Sequence, residues 1–393
     1  MSKWKEYKFS DFVNINPTVS LKGSGKYSFV EMKDLKDGNK FCFPKEKRKT
    51  SSGARFQNED TLFARITPCL ENGKICKVNG LENNIGFGST EFLVFRGKEN
   101  ISDNDFVFYL SRWDEVRGFA ESNFEGTSGR QRVPKNCFDN LKLELPSLKE
   151  QISIASILSS LDDKIDLLNR QNKTLEQLAE TLFRQWFVEE AEDDWEDKKL
   201  GELLTITSSK RIFYSEYVSS GVPFYRSKEI IELRNTGSTN SELYIPQERF
   251  DKINNKFGSP KEGDILMTSV GTLGVAYRVK SGEKFYFKDG NLTWFKDFKG
   301  LPSSIVYLWL ISKIGQEELS AITIGSTQEA LTIEGLKNIS FKIPSKGKII
   351  KYEQEFNLII NKMEVNQTQI NTLTQLRNSL LPKLMSQEVK IKI

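Results

Sequence analysis

The sequence consists of two copies of one pattern, which predicts two similar folded units rather than one continuous domain. Trp4 to Phe9 (WKEYKF) is echoed by Trp195 to Leu200 (WEDKKL). Thr174 to Leu178 (TLEQL) returns 198 residues later as Thr372 to Leu376 (TLTQL). Each copy therefore spans about half of the 393 residues, and each ends in a long helical pattern.

The helical pattern at the end of each copy has apolar residues at alternating spacings of three and four, which is typical of a coiled-coil seam. In the first copy the apolar seam residues are Leu158, Leu161, Ile165, Leu168, Leu175 and Leu182. In the second copy they are Phe356, Ile359, Met363, Ile370, Leu373 and Leu380. Asn172 and Asn366 also fall on the seam, either as devices that fix the register or as polar residues exposed at frayed turns.

The boundaries of the two helices are less alike than their seams. Ser147 stands three residues before Glu150, a capping box that predicts a helix from Leu148 to Phe187, roughly 60 Å long. The second copy has Lys348 in place of the capping glutamate, and Pro382 predicts a stop or kink near Leu381. We therefore expect the second helix to be shorter or more bent.

A seam on each of two helices requires a partner, and the nearest partner is the other copy. The stretch 188–344 lies between the helices, so no short loop joins them. A parallel pair would place both globular units at one end, and an antiparallel pair would place them at opposite ends about a pseudo-two-fold axis. We favour the antiparallel pair, although the pattern alone permits both.

Composition excludes several kinds of chemistry. The chain has no histidine, so catalytic triads with histidine, histidine general bases and histidine-ligated zinc are excluded. None of its four cysteines forms a C-x-x-C pair, so we expect neither a structural zinc nor a disulfide framework. The net charge of +4 permits a nucleic-acid partner without requiring one.

The sequence has neither the apolar stretch of a signal peptide nor a run long enough to span a membrane. We therefore expect a soluble, cytoplasmic chain that does not contact a membrane.

Several motifs taken together resemble the specificity subunits of type I restriction–modification enzymes. In the first copy they are Gly126 to Pro134 (GTSGRQRVP), Leu141 to Pro146 (LKLELP), Glu150-Gln151, Leu161 to Ile165 (LDDKI) and Leu182 to Phe187 (LFRQWF). In the second copy they are Gly325 to Gln328 (GSTQ) and Leu380 to Ser386 (LLPKLMS). The similarity extends over the whole chain and is strongest in the helices.

The resemblance implies an α+β fold in which two α/β target recognition domains are separated by two long antiparallel coiled-coil helices. The implied ranges are 1–146 and 191–344 for the recognition domains and 147–190 and 345–393 for the helices. It also implies a non-catalytic subunit that binds a bipartite, asymmetric site on double-stranded DNA. Such a subunit positions adenine-methylating modification subunits and restriction subunits, and S-adenosylmethionine, ATP and magnesium are expected in those partners rather than in this chain.

The residues agree with the absence of catalysis. The nearest piece to an adenine methyltransferase motif, Asn14 to Pro17, lacks the second proline and the aromatic residue. Gly23 to Lys26 lacks the first glycine of a phosphate-binding loop and the final serine or threonine. The alternative from another class is a non-catalytic coiled-coil scaffold whose globular units bind proteins.

Residues that contact DNA bases should differ between the two copies of the pattern. Residues that contact the DNA phosphates or stabilise the fold can be the same in both copies. After the shared pattern that begins at Asp60 and Asp264, Arg65 and Ser269 occupy equivalent places but differ, so they are our first candidates. Arginine and glutamine can pair with guanine and adenine in the major groove, and hydroxyl and lysine groups suit phosphates. The other candidates are Thr67, Lys74, Ser128, Arg130, Gln131, Arg132, Lys210, Arg211, Arg226, Lys228, Thr268, Thr272, Thr327 and Gln328.

Overall fold

Residues 4–21, 25–127, 129–325 and 329–391 are described by a computed structural model of the chain. They form two units, each with its own apolar core. The first unit combines Met1–Leu167 with Thr372–Ile393, and the second unit is Leu168–Asn371. The predicted domain ranges, which end each recognition domain where a long helix begins, stay a prediction.

The first unit is built around a five-stranded sheet and a four-stranded sheet, with orders β2-β10-β7-β8-β4 and β5-β3-β9-β6. Its strands are β1 (Lys5–Lys8), β2 (Val13–Ile15), β3 (Lys26–Val30), β4 (Phe41–Cys42), β5 (Glu46–Lys49), β6 (Ala54–Gln57), β7 (Thr61–Ala64), β8 (Ile75–Val78), β9 (Ile85–Gly88), β10 (Phe92–Gly97) and β11 (Lys142–Leu145). Its helices are α1 (Phe9–Phe12), α2 (Asn104–Arg112), α3 (Asp114–Ser122) and the first part of α4 (Leu148–Arg184). Three short 3-10 helices cover Met32–Asp34, Glu82–Asn84 and Cys137–Asn140.

The second unit contains a four-stranded sheet, β13-β19-β16-β17, and a three-stranded sheet, β15-β14-β18. Its strands are β12 (Glu196–Lys199), β13 (Thr205–Thr207), β14 (Val222–Tyr225), β15 (Tyr244–Ile245), β16 (Ile265–Thr268), β17 (Ala276–Arg278), β18 (Tyr286–Phe287), β19 (Leu292–Lys296) and β20 (Ser340–Ile343). Its helices are α5 (Leu200–Leu203), α6 (Ser227–Thr236), α7 (Gln247–Phe257), α8 (Ser303–Ile311), α9 (Lys313–Ala321), α10 (Ile333–Lys337) and most of α11 (Lys346–Met385), with a 3-10 turn at Tyr214–Glu216.

The strand topology confirms the internal repeat. In each unit the first strand pairs antiparallel with the last, β1 with β11 and β12 with β20. The order β2-β10-β7-β8 corresponds to β13-β19-β16-β17. The parallel pair β3–β9 likewise corresponds to β14–β18. Two sequences with few identities therefore give one topology, because the echoed segments supply matching strands.

The two long helices run antiparallel in both units, as we predicted. In the first unit, Leu158 shares a core with Leu384, while Asp162 contacts Arg377. In the second unit, Asn172 contacts Asn366 and the ring of Trp186 stacks on Tyr352 at 4.3 Å between centroids. In each unit, contacts at higher residue numbers of α4 are made with lower residue numbers of α11. This order excludes a parallel pair.

The predicted seam is the face that the helices bury. None of the twelve apolar seam residues is exposed, and seven of them are nine-tenths or more buried. Asn366 is fully buried and its side-chain amide donates to the Asn172 oxygen at 2.9 Å. Asn172 is half-buried, and its contact with the buried Asn366 favours the interpretation of the two residues as a register device over the interpretation as polar residues exposed at frayed turns.

We predicted that Pro382 stops or kinks the second helix near Leu381. The helix does not stop there, because Pro382 lies inside it. Helix α11 continues to Met385 and is 40 residues long, whereas the α-helical part of α4 is 37 residues and ends in a π-helical turn at Gln185–Glu189. Proline removes one backbone donor, but only one turn of helix follows it. Leu384 and Met385 in that turn are 2% exposed in the first core, and their burial stabilises the turn.

We predict that Ile165→Asp lowers the free energy of unfolding by at least about 3 kcal/mol, because it places a carboxylate without a partner in the seam. Chemical denaturation followed by circular dichroism measures the change. Ser156→Asp, at an exposed position of the same helix, is the control and should shift stability by less than about 0.5 kcal/mol. Equal effects of the two substitutions would contradict a buried seam at Ile165.

Candidate nucleic-acid interface

The residue that follows the central strand is held by the same backbone frame in both units. The Arg65 amide donates to the Glu91 carbonyl at 3.0 Å, and the Arg65 carbonyl accepts from the Val133 amide at 2.8 Å. In the second unit the Ser269 amide donates to the Asn291 carbonyl, and its carbonyl accepts from the Leu331 amide, both at 2.9 Å. Arg65 and Ser269 are therefore equivalent in three dimensions as well as in sequence.

A small ladder extends this frame in each unit. Arg132 bridges both Ile66 and Glu125 in the first unit, and Ala330 bridges both Val270 and Ile324 in the second. A loop therefore starts at the equivalent glycines Gly126 and Gly325. Their φ values of 113° and 97° lie in a region that favours glycine. The candidates Ser128, Thr327 and Gln328 belong to these loops in sequence but lie outside the described residues.

The first unit brings most of its candidate residues to this frame. Arg65 is half-buried, and its Nε atom is inaccessible and has no hydrogen-bond partner among the described residues. Arg130 is exposed and Gln131 is half-buried. The Arg132 guanidinium pairs with the Glu91 carboxylate at 2.9 to 3.0 Å, which raises the arginine pKa.

Two other candidates in the first unit have structural contacts. The Thr67 hydroxyl is buried and accepts a hydrogen bond from the Gln131 amide at 3.0 Å. The Lys74 ammonium donates to the Met32 carbonyl at 3.0 Å. Both contacts connect loops within the unit. The polar groups of Thr67 and Lys74 are therefore engaged within the protein, whereas the Arg130 side chain is exposed to solvent.

In the second unit the candidates after the strand are mostly interior. Thr268 is fully buried, and its hydroxyl accepts from the Val275 amide at 3.0 Å. Ser269 is 4% exposed, whereas Thr272 is exposed. A base contact by Thr268 or Ser269 would therefore require the loop around them to open.

The basic candidates of the second unit are mostly engaged with acidic or aromatic side chains. Arg211 pairs with Asp289 at 2.9 Å, in the turn that leads to Asn291. The Lys210 ammonium lies 4.7 Å from the centre of the Phe257 ring. Arg226 and Lys228 both contact the Glu242 carboxylate. Those hydrogen bonds, from Lys228 first and then from Arg226, lower the pKa of Glu242 to about 2.

Arg226 also contacts Glu229, which is 1% exposed, so its guanidinium is part of the fold as well as of the surface. Lys228 and Glu242 are exposed. The Lys228 ammonium is therefore a surface charge that an exposed carboxylate, Glu242, neutralises.

Sequence reasoning missed Glu91 and Asn291, which supply the backbone carbonyls of the frame. Both immediately precede an aromatic strand, Phe92 to Phe95 (FLVF) in one copy and Leu292 to Phe295 (LTWF) in the other. An alignment of these two strand sequences by their apolar residues would have matched Glu91 with Asn291. The side chains differ in charge, as expected for positions that distinguish two ligands.

Neither a membrane-spanning helix nor a group of metal ligands is found in the described part of the chain. No described helix combines the length and the apolar character needed to cross a bilayer. Among the described residues, no three acidic or cysteine side chains are grouped so as to hold a metal ion.

Two similar units, each with a loop frame of its own and each containing parts of both long helices, define a protein built from two copies of one domain. The family model of the type I restriction modification DNA specificity domain matches residues 1–177 and again 192–379. The chain therefore belongs to this family and carries two copies of its domain. Membership confirms the resemblance inferred from the motifs, and it does not favour the scaffold alternative.

Curated relatives have the same description. The type I restriction enzyme MjaVIII specificity subunit of Methanocaldococcus jannaschii is 24% identical over 332 residues, which cover 78% of this chain and 75% of the relative. The EcoAI specificity subunit of Escherichia coli is 32% identical over 187 residues, which cover 46% of this chain and 30% of the relative. The second match thus concerns about half of this chain.

The fold is also found in a solved structure. The crystal structure of a type I restriction–modification system S subunit from M. genitalium matches with a TM-score of 0.54. The match covers 97% of this chain and 96% of that chain at 16% identity. At this identity the similarity supports the fold of the chain.

We predict that Glu242→Gln increases the salt dependence of binding to duplex DNA, because it frees Lys228 to contact a phosphate. The slope of log K against log salt should steepen by about one unit. Fluorescence anisotropy with one duplex at several salt concentrations measures this slope. Glu248→Gln, which frees Lys252 on helix α7, is the control. If both variants change the slope equally, the effect is net charge and not a contact made by Lys228.

Proposed function

We propose that the chain is the subunit that reads DNA sequence for a type I restriction–modification complex, and that it binds an asymmetric, bipartite site. Each unit would read one half-site. The observation that carries the proposal is that one backbone frame recurs in both units with different side chains on it. A shared frame suits a shared task, and different side chains suit different bases.

The asymmetry extends to four equivalent positions of the frame. Arg65, Glu91, Glu125 and Arg132 in the first unit correspond to Ser269, Asn291, Ile324 and Ala330 in the second. The first frame is therefore charged and the second is neutral. Two half-sites read through such different surfaces should have different sequences, so the complete site should not be a palindrome.

We propose that the long helices dock the partner subunits, on the basis of their exposed apolar side chains. Ile152, Leu167 and Leu178 on α4 are between 42% and 52% exposed. They are 15 and 11 residues apart, close to four and three helical turns, so they lie along one side of the helix. An exposed apolar row of this kind is typical of a protein–protein interface.

The same row occurs on the second helix at equivalent positions. Adding 198 to each number gives Ile350, Val365 and Leu376, which are between 44% and 50% exposed. A duplicated apolar row suits two copies of one partner, and modification subunits are the partner class that the family suggests. Restriction subunits would then join the assembly, and S-adenosylmethionine, ATP and magnesium would bind to those partners.

We predict that Arg65→Ala relaxes recognition in one half-site only. Loss of a bidentate contact to a base lowers discrimination by about 1–3 kcal/mol, which is roughly five- to 150-fold. The measurement is co-expression with the modification subunit and mapping of methylated adenines across a genome. Ser269→Ala is the matched control on the other unit. Degenerate methylation in both half-sites, or in neither, would remove Arg65 from the base-reading residues.

We predict that Leu178→Asp or Leu376→Asp reduces the number of bound modification subunits from two to one. Both positions are exposed, so the isolated variants should melt within a few degrees of the unaltered chain. Native mass spectrometry of the co-purified complex counts the subunits. Leu358→Asp is the control, because Leu358 is 66% exposed but its equivalent is Ser160, outside the duplicated row. An intact complex with two bound subunits in both test variants would contradict docking on this row.

A further inference from the structure

Two polar contacts between the long helices involve side chains buried in the described residues, and the first is a buried ion pair. In the first unit Arg377 Nη1 lies 2.6 Å from Asp162 Oδ1, and the two side chains are 6% and 3% exposed. Tyr109 donates its hydroxyl proton to the other Asp162 oxygen at 2.7 Å. Arg377 also donates to the Gly38 carbonyl at 2.7 Å. Each buried charge therefore depends on the other.

The second polar contact is the asparagine pair of the second unit. The Asn366 amide donates to Asn172 Oδ1 at 2.9 Å, and the Asn172 amide donates to the Met363 carbonyl at 3.4 Å. Asn366 is fully buried. Its Nδ2 donor is satisfied by the Asn172 oxygen of the facing helix, whereas its Oδ1 atom has no hydrogen-bond partner among the described residues.

The internal repeat gives neither contact a polar counterpart. A shift of 198 residues relates the two helices, since TLEQL at Thr174 becomes TLTQL at Thr372. By this shift, Ile360 of the second repeat is equivalent to Asp162 of the first, and Ala179 of the first repeat is equivalent to Arg377 of the second. Ile360 and Ala179 are each 2% exposed. It likewise relates Asn172 to Ile370 and Asn366 to Leu168, which are 7% and 1% exposed.

This arrangement has a consequence for pairs of like helices. If two copies of α4 paired in the register seen here, Asp162 of each would face Ala179 of the other, and Asn172 would face Leu168. If two copies of α11 paired, Arg377 would face Ile360 and Asn366 would face Ile370. Asp162 and Arg377 would each lose the opposite charge that they face, and Asn366 would lose the Asn172 oxygen, which is strongly unfavourable for three buried side chains.

We infer that the seam of each long helix accepts the helix of the other repeat and rejects a second copy of its own. The partner that fits is thus the unlike half of this same chain. The apolar seam residues stabilise pairing with either helix. The ion pair and the asparagine pair favour the unlike helix over a second copy of the same helix. This inference does not depend on DNA recognition.

The test removes the covalent link between the repeats after the complete chain has folded. A protease site is inserted after Glu190, in the exposed stretch that follows α4, and the purified chain is cut there. The two halves stay associated through their helices. Cut samples with natural and heavy nitrogen are mixed and allowed to exchange, and native mass spectrometry identifies every pair of halves by mass.

The decisive variant carries the residues of the equivalent positions: Asp162→Ile, Asn172→Ile, Asn366→Leu and Arg377→Ala. Replacing a buried ion pair by apolar residues is often neutral for stability, so this variant should fold, and circular dichroism checks that it does. We expect only unlike pairs from the unaltered chain and roughly half like pairs from the variant, as random pairing requires. The Asp162→Ile, Arg377→Ala double variant should give an intermediate share and replaces the fourfold variant if that one does not fold.

Isotopically mixed unlike pairs show that exchange has taken place. Two results would overturn the inference once exchange is seen. One is a share of like pairs in the unaltered chain comparable to that of the variant. The other is a folded variant that still forms only unlike pairs, because the discrimination would then lie elsewhere than in these four residues.

Discussion

Burial of the two helical seams is the constraint on which the rest of the structure depends. A narrow apolar seam on a helix of about 40 residues cannot be covered by the globular residues that precede it. The seams cover each other, and the antiparallel direction brings the end of each helix to the beginning of the other. Both cores therefore contain side chains from both helices, for example Phe183 with Phe356 in the second and Leu158 with Leu384 in the first.

The two units share a backbone frame but differ in the side chains that the frame carries. The backbone frame that holds Arg65 and Ser269 is the same to the level of single hydrogen bonds. The side chains at four equivalent positions of this frame are charged in the first unit and neutral in the second. Conserving the frame while the side chains vary allows one domain type to recognise different DNA sequences without a new fold, because the frame is set by backbone groups that every residue possesses.

The sequence predicted the features that depend on periodic apolar spacing. The two seams follow from spacings repeated over many residues, so that single exceptions matter little, whereas this spacing favoured the antiparallel pair without requiring it. Pro382 was misjudged because the cost of one missing donor was weighed without the core that receives Leu384. Packing of that kind comes from residues more than 200 positions away and leaves no local signal.

The candidate site was less predictable, for a physical reason. Thr268 and Arg65 each stand near the end of a central strand, and the sequence does not indicate which side chain turns inward there. Glu91 was missed because its contribution to the frame is a backbone carbonyl, which any residue could supply. Arg132 was chosen for its charge, but its partner Glu91 became visible only when the loops were placed together.

The antiparallel path of the chain has a genetic consequence. The last turn of α11, including Leu384 and Met385, belongs to the core of the first unit and not of the second, although the second precedes it in the gene. A frameshift in the codons for this turn would therefore damage the core of the first unit, which is encoded earlier in the gene. The unit encoded next to the lesion would keep its core.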